Sequence, residues 1–406
     1  MPNTKKIQIR MYNVGLGDSF LLRFPGDDRE HNVLIDCGVH PSGPGPYTME
    51  QVVDQIIGDV TDGDAKPRID VVIATHRHRD HVLGFENKRW REVEVGEVWM
   101  PWTEDPKDPQ AKEIRDKQSK KAIAIQKALK AMGAPLALLE IVDNSLTNAK
   151  AMATLHGGFA NKAKVRYLPP KTRSKQSFRT DLLPGVTVHA MGPSRDPDVI
   201  RDMDPPKGGA YELRLAAASG NGNGSSAGLF AKSFALTGTE LATQLASFNL
   251  TKRNLRDLEK LADEDPFAIA VQLDKAVNGT SLLLMFESGD AHLLFPGDAQ
   301  WGTWQNALAD AEFRELLGKT NFLKVGHHGS HNATPKAFVE TILEKGGFSA
   351  MVCTRETKKF KKIPLPSLLK ALGQKSNHHI ARSDETASVK GFKRDGDVYT
   401  DATVAV

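Results

Sequence analysis

Apolar positions along the first hundred residues recur at two different periods. Ile7, Ile9 and Met11 alternate with polar neighbours, which predicts a strand with one buried face. SFLLRF and HNVLIDCG, joined through Gly26, Asp27 and Asp28, predict two further strands after the turn-like Gly15–Asp18 segment GLGD. Thr48 followed by Gln51 has the form of a capping box, and it predicts a helix running to about Gly58. Ile69–Thr75 (IDVVIAT) is a continuous apolar run of the kind found in strands buried on both faces. From about 112 to 132 the period changes to that of a basic amphipathic helix. Ile125, Leu129 and Met132 share a face there, Glu113–Lys117 and Asp116–Lys120 support it, and Gly133 is a candidate stop.

The pattern loosens between about 195 and 275. Ser219–Gly228 (SGNGNGSSAG) reads as a loop by composition and 238–263 as mixed helical, so this section is expected to be an insertion in the core. Regularity returns with SLLLMFE and AHLLFPGD, a hairpin across Ser288–Asp290. Trp301, Trp304 and Leu308 then fall on one side of a helix, and NFLKVGHHGS reads as strand then loop. Thr334-Pro335 is expected to cap and open a helix that Gly346 closes. No internal repeat of solenoid length is present. At 406 residues the chain exceeds the usual single-core size of roughly 250–300 residues, so one elaborated α/β domain over 1–406 is expected.

Composition narrows the class only slightly. A hydrophobic content of 40%, a charged content of 26% and a net charge of +4 suit a globular protein and permit an anionic partner without specifying nucleic acid. Two cysteines, Cys37 and Cys353, exclude a disulfide framework and a thiolate zinc site and suggest a reducing compartment. The opening segment has no apolar leader run, and no stretch approaches the roughly 18–20 apolar residues of a membrane span. A cytoplasmic protein with no membrane partner is therefore expected.

The candidate chemistry lies at three predicted strand exits. Thr75–His81 (THRHRDH) places three histidines and one aspartate on one loop after a buried strand. Divalent cations take imidazole and carboxylate ligands, and a catalytic site keeps a position open for water. His76 and His78 point the same way if the backbone is extended, and Asp80 and His81 can then turn to a second ion. Phe295-Pro-Gly-Asp298 puts a carboxylate beside a permissive glycine; read alone, it is an ordinary turn aspartate. Gly326–Ser330 (GHHGS) again follows a strand and offers His327 or His328. Taken together the three segments support one another, because strand ends are where open α/β architectures gather their sites.

These segments carry a family resemblance. HRHRDH fits the H-x-H-x-D-H signature of the metallo-β-lactamase superfamily, LIDCG with Asp36 fits its early strand-end aspartate, and FPGDA fits its bridging-aspartate segment through Asp298. MYNVGLGDSFLL, LIDCG, PGDA and LKVGHHGS together resemble the hydrolase domain of ComEC-like competence proteins and their stand-alone soluble relatives. The similarity spans roughly residues 7–100 and 278–355, with an echo at Ala381–Asp397. The resemblance implies a four-layer αβ/βα sandwich with a long insertion around 195–275, an extra helix, and a C-terminal extension around 356–406. It implies two divalent ions: His76 and His78 on the first, Asp80 and His81 on the second, Asp298 bridging. His327 is preferred over His328 to complete the second site. Asp36 would hold a ligand histidine, Ser330 would support the site, and Asp18 and Ser19 would line the cleft entrance. The family's middle G-H-T-x-G-H segment is missing. His189 is the best replacement by position and His156 a weaker one, although the alternating V-x-V-H pattern suits a structural histidine equally well.

The implied activity is metal-dependent hydrolysis, with Asp80 and His81 as the catalytic candidates. Zn²⁺ leads by histidine content, and Mn²⁺ is the alternative because the carboxylates are harder ligands. A phosphodiester substrate, cleaved by a nuclease or phosphodiesterase, follows from the resemblance and from the basic stretches Lys117–Lys121, Lys162–Arg179 (with Lys171, Arg173 and Lys175) and Lys358–Lys362. The read alternatives are solvated basic faces, a small-molecule ester, lactone or thioester hydrolase, and a metal-binding interaction protein with little catalysis. Base-stacking platforms are not conspicuous, since aromatics make up only 7%.

Overall fold

The alternating opening becomes the inner part of an eight-stranded sheet in the computed structural model of the chain, which describes residues 5–131, 136–146, 148–206, 208–211, 275–332, 334–357 and 363–406. With strands numbered in chain order, this sheet holds β1 (Lys6–Tyr12), β2 (Ser19–Pro25), β3 (Glu30–Cys37), β4 (Arg68–Ile73), β5 (Glu94–Pro101) and β6 (Lys164–Leu168). It also takes the last two strands, β14 (Phe392–Asp395) and β15 (Tyr399–Ala405), in the order β14-β15-β1-β2-β3-β4-β5-β6. The hairpin strands pair antiparallel, whereas β3 to β6 run parallel. The apolar run predicted as a two-face-buried strand is β4, held between β3 and β5, with Asp70 within it paired to Arg29.

The second sheet has seven strands: β7 (Ser177–Arg179), β8 (Thr187–Gly192), β9 (Leu283–Ser288), β10 (Ala291–Phe295), β11 (Phe322–Lys324), β12 (Ser349–Val352) and β13 (Ile380–Arg382). It too is mixed: β7 to β10 are antiparallel and β10 to β13 parallel. Strand alternation sorts its side chains into two cores. Val188, Leu284, Phe286, Leu293, Phe295, Phe322 and Met351 join the apolar residues of the first sheet in one cluster. Edge-to-face contacts such as Phe20–Phe295 run between the sheets, with ring centroids 5.7 Å apart. Leu283, Met285, Leu294, Leu323, Ala350 and Val352 point the other way, onto helices.

Nine α-helices are described: α1 (Met49–Asp59), α2 (Arg79–Val82), α3 (Pro109–Ala131), α4 (Leu136–Leu146), α5 (Ala149–Leu155), α6 (Pro197–Arg201), α7 (Trp301–Ala309), α8 (Ala311–Gly318) and α9 (Pro366–Lys375). Helix α1 carries the expected capping box at Thr48 and Gln51 and buries Val52, Val53, Ile56 and Ile57 against the first core. Helices α7, α8 and α9 close the second core through Trp304, Phe313, Leu317 and Leu372. Among the described residues no helix is long and apolar enough to cross a membrane.

Two expectations change. The helix predicted from Thr334-Pro335 shrinks to a π-helical turn over Phe338–Ile342, and Leu343, not Gly346, ends it. Thr334 Oγ1 caps nothing and is buried without a hydrogen bond, while Gly346 turns the chain with φ of 80°. The stretch 356–406 is no appendage, because β13 edges the second sheet and β15 pairs with β1 from Lys6↔Ala405 to Tyr12↔Tyr399. The Ser219–Gly228 loop and the helical stretch 238–263 lie outside the described residues.

Candidate metal centre

Four chain segments meet at the ends of β3, β4, β10 and β11, and glycines allow them to come close enough. A side chain at Gly38, just past β3, would sit 2.4 Å from the Asp80 carbonyl carbon and 2.5 Å from the His81 nitrogen. One at Gly17 would sit 2.9 Å from the Asp80 oxygen. Gly297 turns the chain after β10 with φ of 52°, and its missing side chain makes room for Thr75. The HRHRDH loop leaves β4 and immediately winds into the single turn α2, with His78 at its N-cap, so Asp80 and His81 project from helical backbone.

The resulting donors form overlapping groups, and all of them are buried. His76, His81 and Asp298 offer ligand atoms within 4.8 Å of one another; so do Asp80, His81 and His328, and so do Asp18, Asp36 and His81. His81 is common to all three. Its Nε2 lies 3.3 Å from Asp298 Oδ2, and its Nδ1 lies 2.8 Å from Asp36 Oδ2. Asp36 also accepts the backbone N–H and hydroxyl of Thr75, each at 2.7 Å, and it adopts a left-handed φ of 57° to do so. Asp36 thus both orients His81 and fixes the start of the loop. Asn144 of α4 donates to Asp80 Oδ1 at 3.1 Å, and Asp80 Oδ2 faces His328 Nε2 at 3.3 Å.

The expected division of ligands between two ions is not how the side chains group. His76 sides with His81 and Asp298, and His78 stands behind it, its Nδ1 3.0 Å from His76 Nε2. His78 also contacts Asn278 Oδ1 at 2.8 Å and Ser145 Oγ at 3.1 Å. The preference for His327 also reverses. His328 joins Asp80 and His81, with its Nδ1 directed at the Cys353 carbonyl, 3.0 Å away. His327 Nε2 is 3.8 Å from Asp298, and its Nδ1 lies 2.8 Å from Ser330 Oγ. Both histidines take left-handed backbone, φ 46° and 52°, and their ring centroids lie 6.1 Å apart.

His189 does not reach the centre. It lies on β8 with Nδ1 on Ser177 Oγ at 2.8 Å and Nε2 on Glu287 Oε2 at 2.9 Å, as the alternating pattern around it allowed. His156 is beside Tyr167, 3.2 Å from its hydroxyl. Asp18 and Ser19 line no entrance; both are buried beneath the cluster, Asp18 at 3.6 Å from His81 Nδ1. Sequence reasoning missed Lys324, Asn144, Ser145 and Asn278. Lys324 is buried with its ammonium against Asp18 and 3.8 Å from Asp298. A lysine at an inward strand position in NFLKV, on the face of Phe322, was the available signal. The polar residues of α4 and of the segment before β9 carried none.

Charge follows this geometry. Burial pushes the Asp298 and Asp80 carboxyls up, but His81 with His327 and Lys324 around Asp298, and His328 with His81 around Asp80, hold both well below the usual carboxylate range. Burial pushes His76 well down and His78 down to about 4, so both imidazoles are neutral at pH 7. His81 goes the other way, its burial outweighed by Asp298 and Asp36. The neutral His76 and His78 beside ionised carboxylates are in the state that a divalent cation requires, whereas His81 would give up its proton to ligate one.

The basic stretches are only partly open. Arg173 pairs with Asp310 at 2.8 Å and stacks on Phe313, Lys171 is 3.6 Å from Asp108, and Lys117 is 2.5 Å from Glu113. Residues 358–362 lie outside the described residues. Cys37 and Cys353 are free and buried. No protein-family model matches the chain, and no curated protein matches it either.

Proposed function

We propose that this chain is a metal-dependent hydrolase of the metallo-β-lactamase fold that uses a metal-activated water, with a phosphodiester as its substrate class. One observation carries the reading: His76, Asp80, His81, Asp298 and His328, from three separate strand exits, offer buried ligand atoms in groups no wider than 4.8 Å. The donor set fits divalent cations. Asp18, Asp36, Asp80 and Asp298 are all buried together, and divalent cations would offset their charge beside Lys324 in place of the protons on His81 and His328. Two neutral imidazoles with nitrogens 3.0 Å apart, His76 and His78, add donors of the type Zn²⁺ favours, and Mn²⁺ is the alternative suited to the carboxylates.

Support for the fold assignment comes from two mixed sheets sharing one core, with helices α7 to α9 packed on the far side of the second. When bound, the cations supply a water acidic enough to be a nucleophile near neutral pH and charge to stabilise the oxyanion that forms. The chain's residues supply the rest. Asp36 holds His81 in place through Nδ1. Asn144 fixes one oxygen of Asp80, which leaves Oδ2 to accept a proton from a water. His328, 3.3 Å from that oxygen and with its Nδ1 on the Cys353 carbonyl, would hold metal through Nε2.

The test is metal analysis of the purified full chain followed by assay with bis-p-nitrophenyl phosphate and a panel of p-nitrophenyl esters, with Zn²⁺ or Mn²⁺ added. Phosphodiester turnover should fall about 100-fold or more in His76→Ala and in Asp298→Asn, with metal content falling too. Ester turnover without phosphodiester turnover would replace the substrate class by small carboxylic esters. Metal bound with neither activity would leave a metal-binding protein without hydrolysis.

A further inference from the structure

The histidine that the sequence offered to the buried centre sits in a second cluster. His189 on β8, Glu287 on β9 and His292 on β10 are neighbours across three adjacent strands. The register pairs His292 with Glu287 directly and His189 with Met285, one step along the same face from Glu287. That face is the outer one, since Met285 and Leu294 beside them belong to the core under the helices. His189 Nε2 lies 2.9 Å from Glu287 Oε2, and His292 Nε2 lies 4.0 Å from Glu287 Oε1. The cluster stands at the start of β10, whereas Asp298 follows its end, so a strand roughly 16 Å long separates it from the buried centre.

The orientation of the rings is the second observation. Each imidazole has its Nδ1 on a separate partner: Ser177 Oγ at 2.8 Å for His189, and the Asp290 carbonyl at 3.1 Å for His292. A carbonyl can only accept, so the Nδ1 of His292 carries the proton and, in the neutral ring, its Nε2 lone pair faces the carboxylate. The same tautomer arises at His189 when its Nδ1–H donates to Ser177. If both rings take that tautomer, two lone-pair nitrogens face one carboxylate, which a cation between them relieves; in the other tautomer Ser177 Oγ–H donates to His189 Nδ1 and His189 Nε2–H donates to Glu287. An imidazole whose far nitrogen is fixed by a carbonyl or hydroxyl is also the usual support of a ligand histidine. The Glu287 side chain is 37% exposed, so an ion can enter and water can complete its shell.

We propose that His189, Glu287 and His292 bind one divalent transition-metal cation, Zn²⁺ by donor type, at a surface site separate from the buried centre. Two imidazole nitrogens and a carboxylate oxygen supply three protein ligands, and water supplies the fourth. The 2.9 Å spacing suits two ligands on one ion, and His292 Nε2, 4.0 Å from the other carboxylate oxygen, must move inward to become the third. The competing arrangement is a plain hydrogen bond from His189 Nε2–H to Glu287, which would bind no metal.

Equilibrium dialysis against Zn²⁺, with metal analysis, separates the two. The background is Asp298→Asn, which impairs the buried centre without touching this cluster. The proposal expects this chain to retain one zinc and expects zinc to raise its melting temperature. Adding either Glu287→Gln or His292→Ala should weaken that binding at least about 10-fold and abolish the thermal shift. Zinc binding that is unchanged by both additions, or absent from the Asp298→Asn chain, overturns it. Circular dichroism of each variant without zinc checks folding, and two independent variants guard against one that misfolds. Catalytic activity is not a readout, so this result stands or falls apart from the hydrolase reading.

Discussion

At the scale of single residues, Lys324 has the most demanding environment. A buried ammonium loses several kcal/mol of hydration, which only close counter-charges offset. Asp18 supplies the main one, with the Gly297 carbonyl 3.3 Å away and Asp298 beyond it. Burial alone would pull the ammonium down, yet Asp18 and Asp298 hold it above the usual lysine range, so it stays charged. Lys324→Met should strand Asp18 as an unpaired buried charge and cost about 3–5 kcal/mol in urea unfolding. Adding Asp18→Asn to that variant should recover a large part of the loss. Equal and additive costs in the double-mutant cycle would show that the pair is not coupled.

At the scale of elements, the close approach of the segment after β3 to α2 makes the centre possible. A methyl group at Gly38 meets backbone atoms of Asp80 and His81 at 2.4 and 2.5 Å, and backbone cannot swing aside as a side chain can. Gly38→Ala should therefore shift α2 and lower metal affinity about 10-fold or more in chelator competition. Gly58 is the control. It lies on the exposed side of α1 with no atom within 4 Å of an added Cβ. Gly58→Ala should leave metal affinity unchanged and add about 0.5–1 kcal/mol of stability, because glycine costs a helix interior that much. A Gly38→Ala chain that binds metal normally would mean that α2 tolerates displacement.

For the molecule as a whole, the ends of the described chain meet in the first sheet. β15 covers β1 over seven residue pairs, and Arg10 on β1 bonds Asp401 on β15 at 2.8 Å and Asp59 of α1 at 2.8 Å. Removing residues 391–406 would bare β1 as an exposed edge and strip Arg10 of one carboxylate. Soluble expression and size-exclusion chromatography should then report aggregation or self-association. A monomeric truncated chain with an unchanged melting temperature would show that β14 and β15 are dispensable.

Local pattern was enough to find much of this protein. The alternation at Ile7–Met11, the apolar run at Ile69–Thr75 and the capping box at Thr48 each gave the element found there, because pleat, burial and capping act over a few residues. The same holds for the donors at strand exits: His76, Asp80, His81, Asp298 and His328 were legible as residue types in a suitable setting. Which of them meet was not legible. His189 fitted by order along the chain, yet its side chain points from the outer face of the second sheet and meets Glu287 there. His328 displaced His327 because left-handed backbone at both residues set their directions, and Asp18 went beneath the cluster because Gly17 and Gly38 let the loops close over it. Sequence sets what a few neighbouring residues can do, whereas the distance between side chains on different strands depends on sheet order, register and face, which only the assembled core fixes.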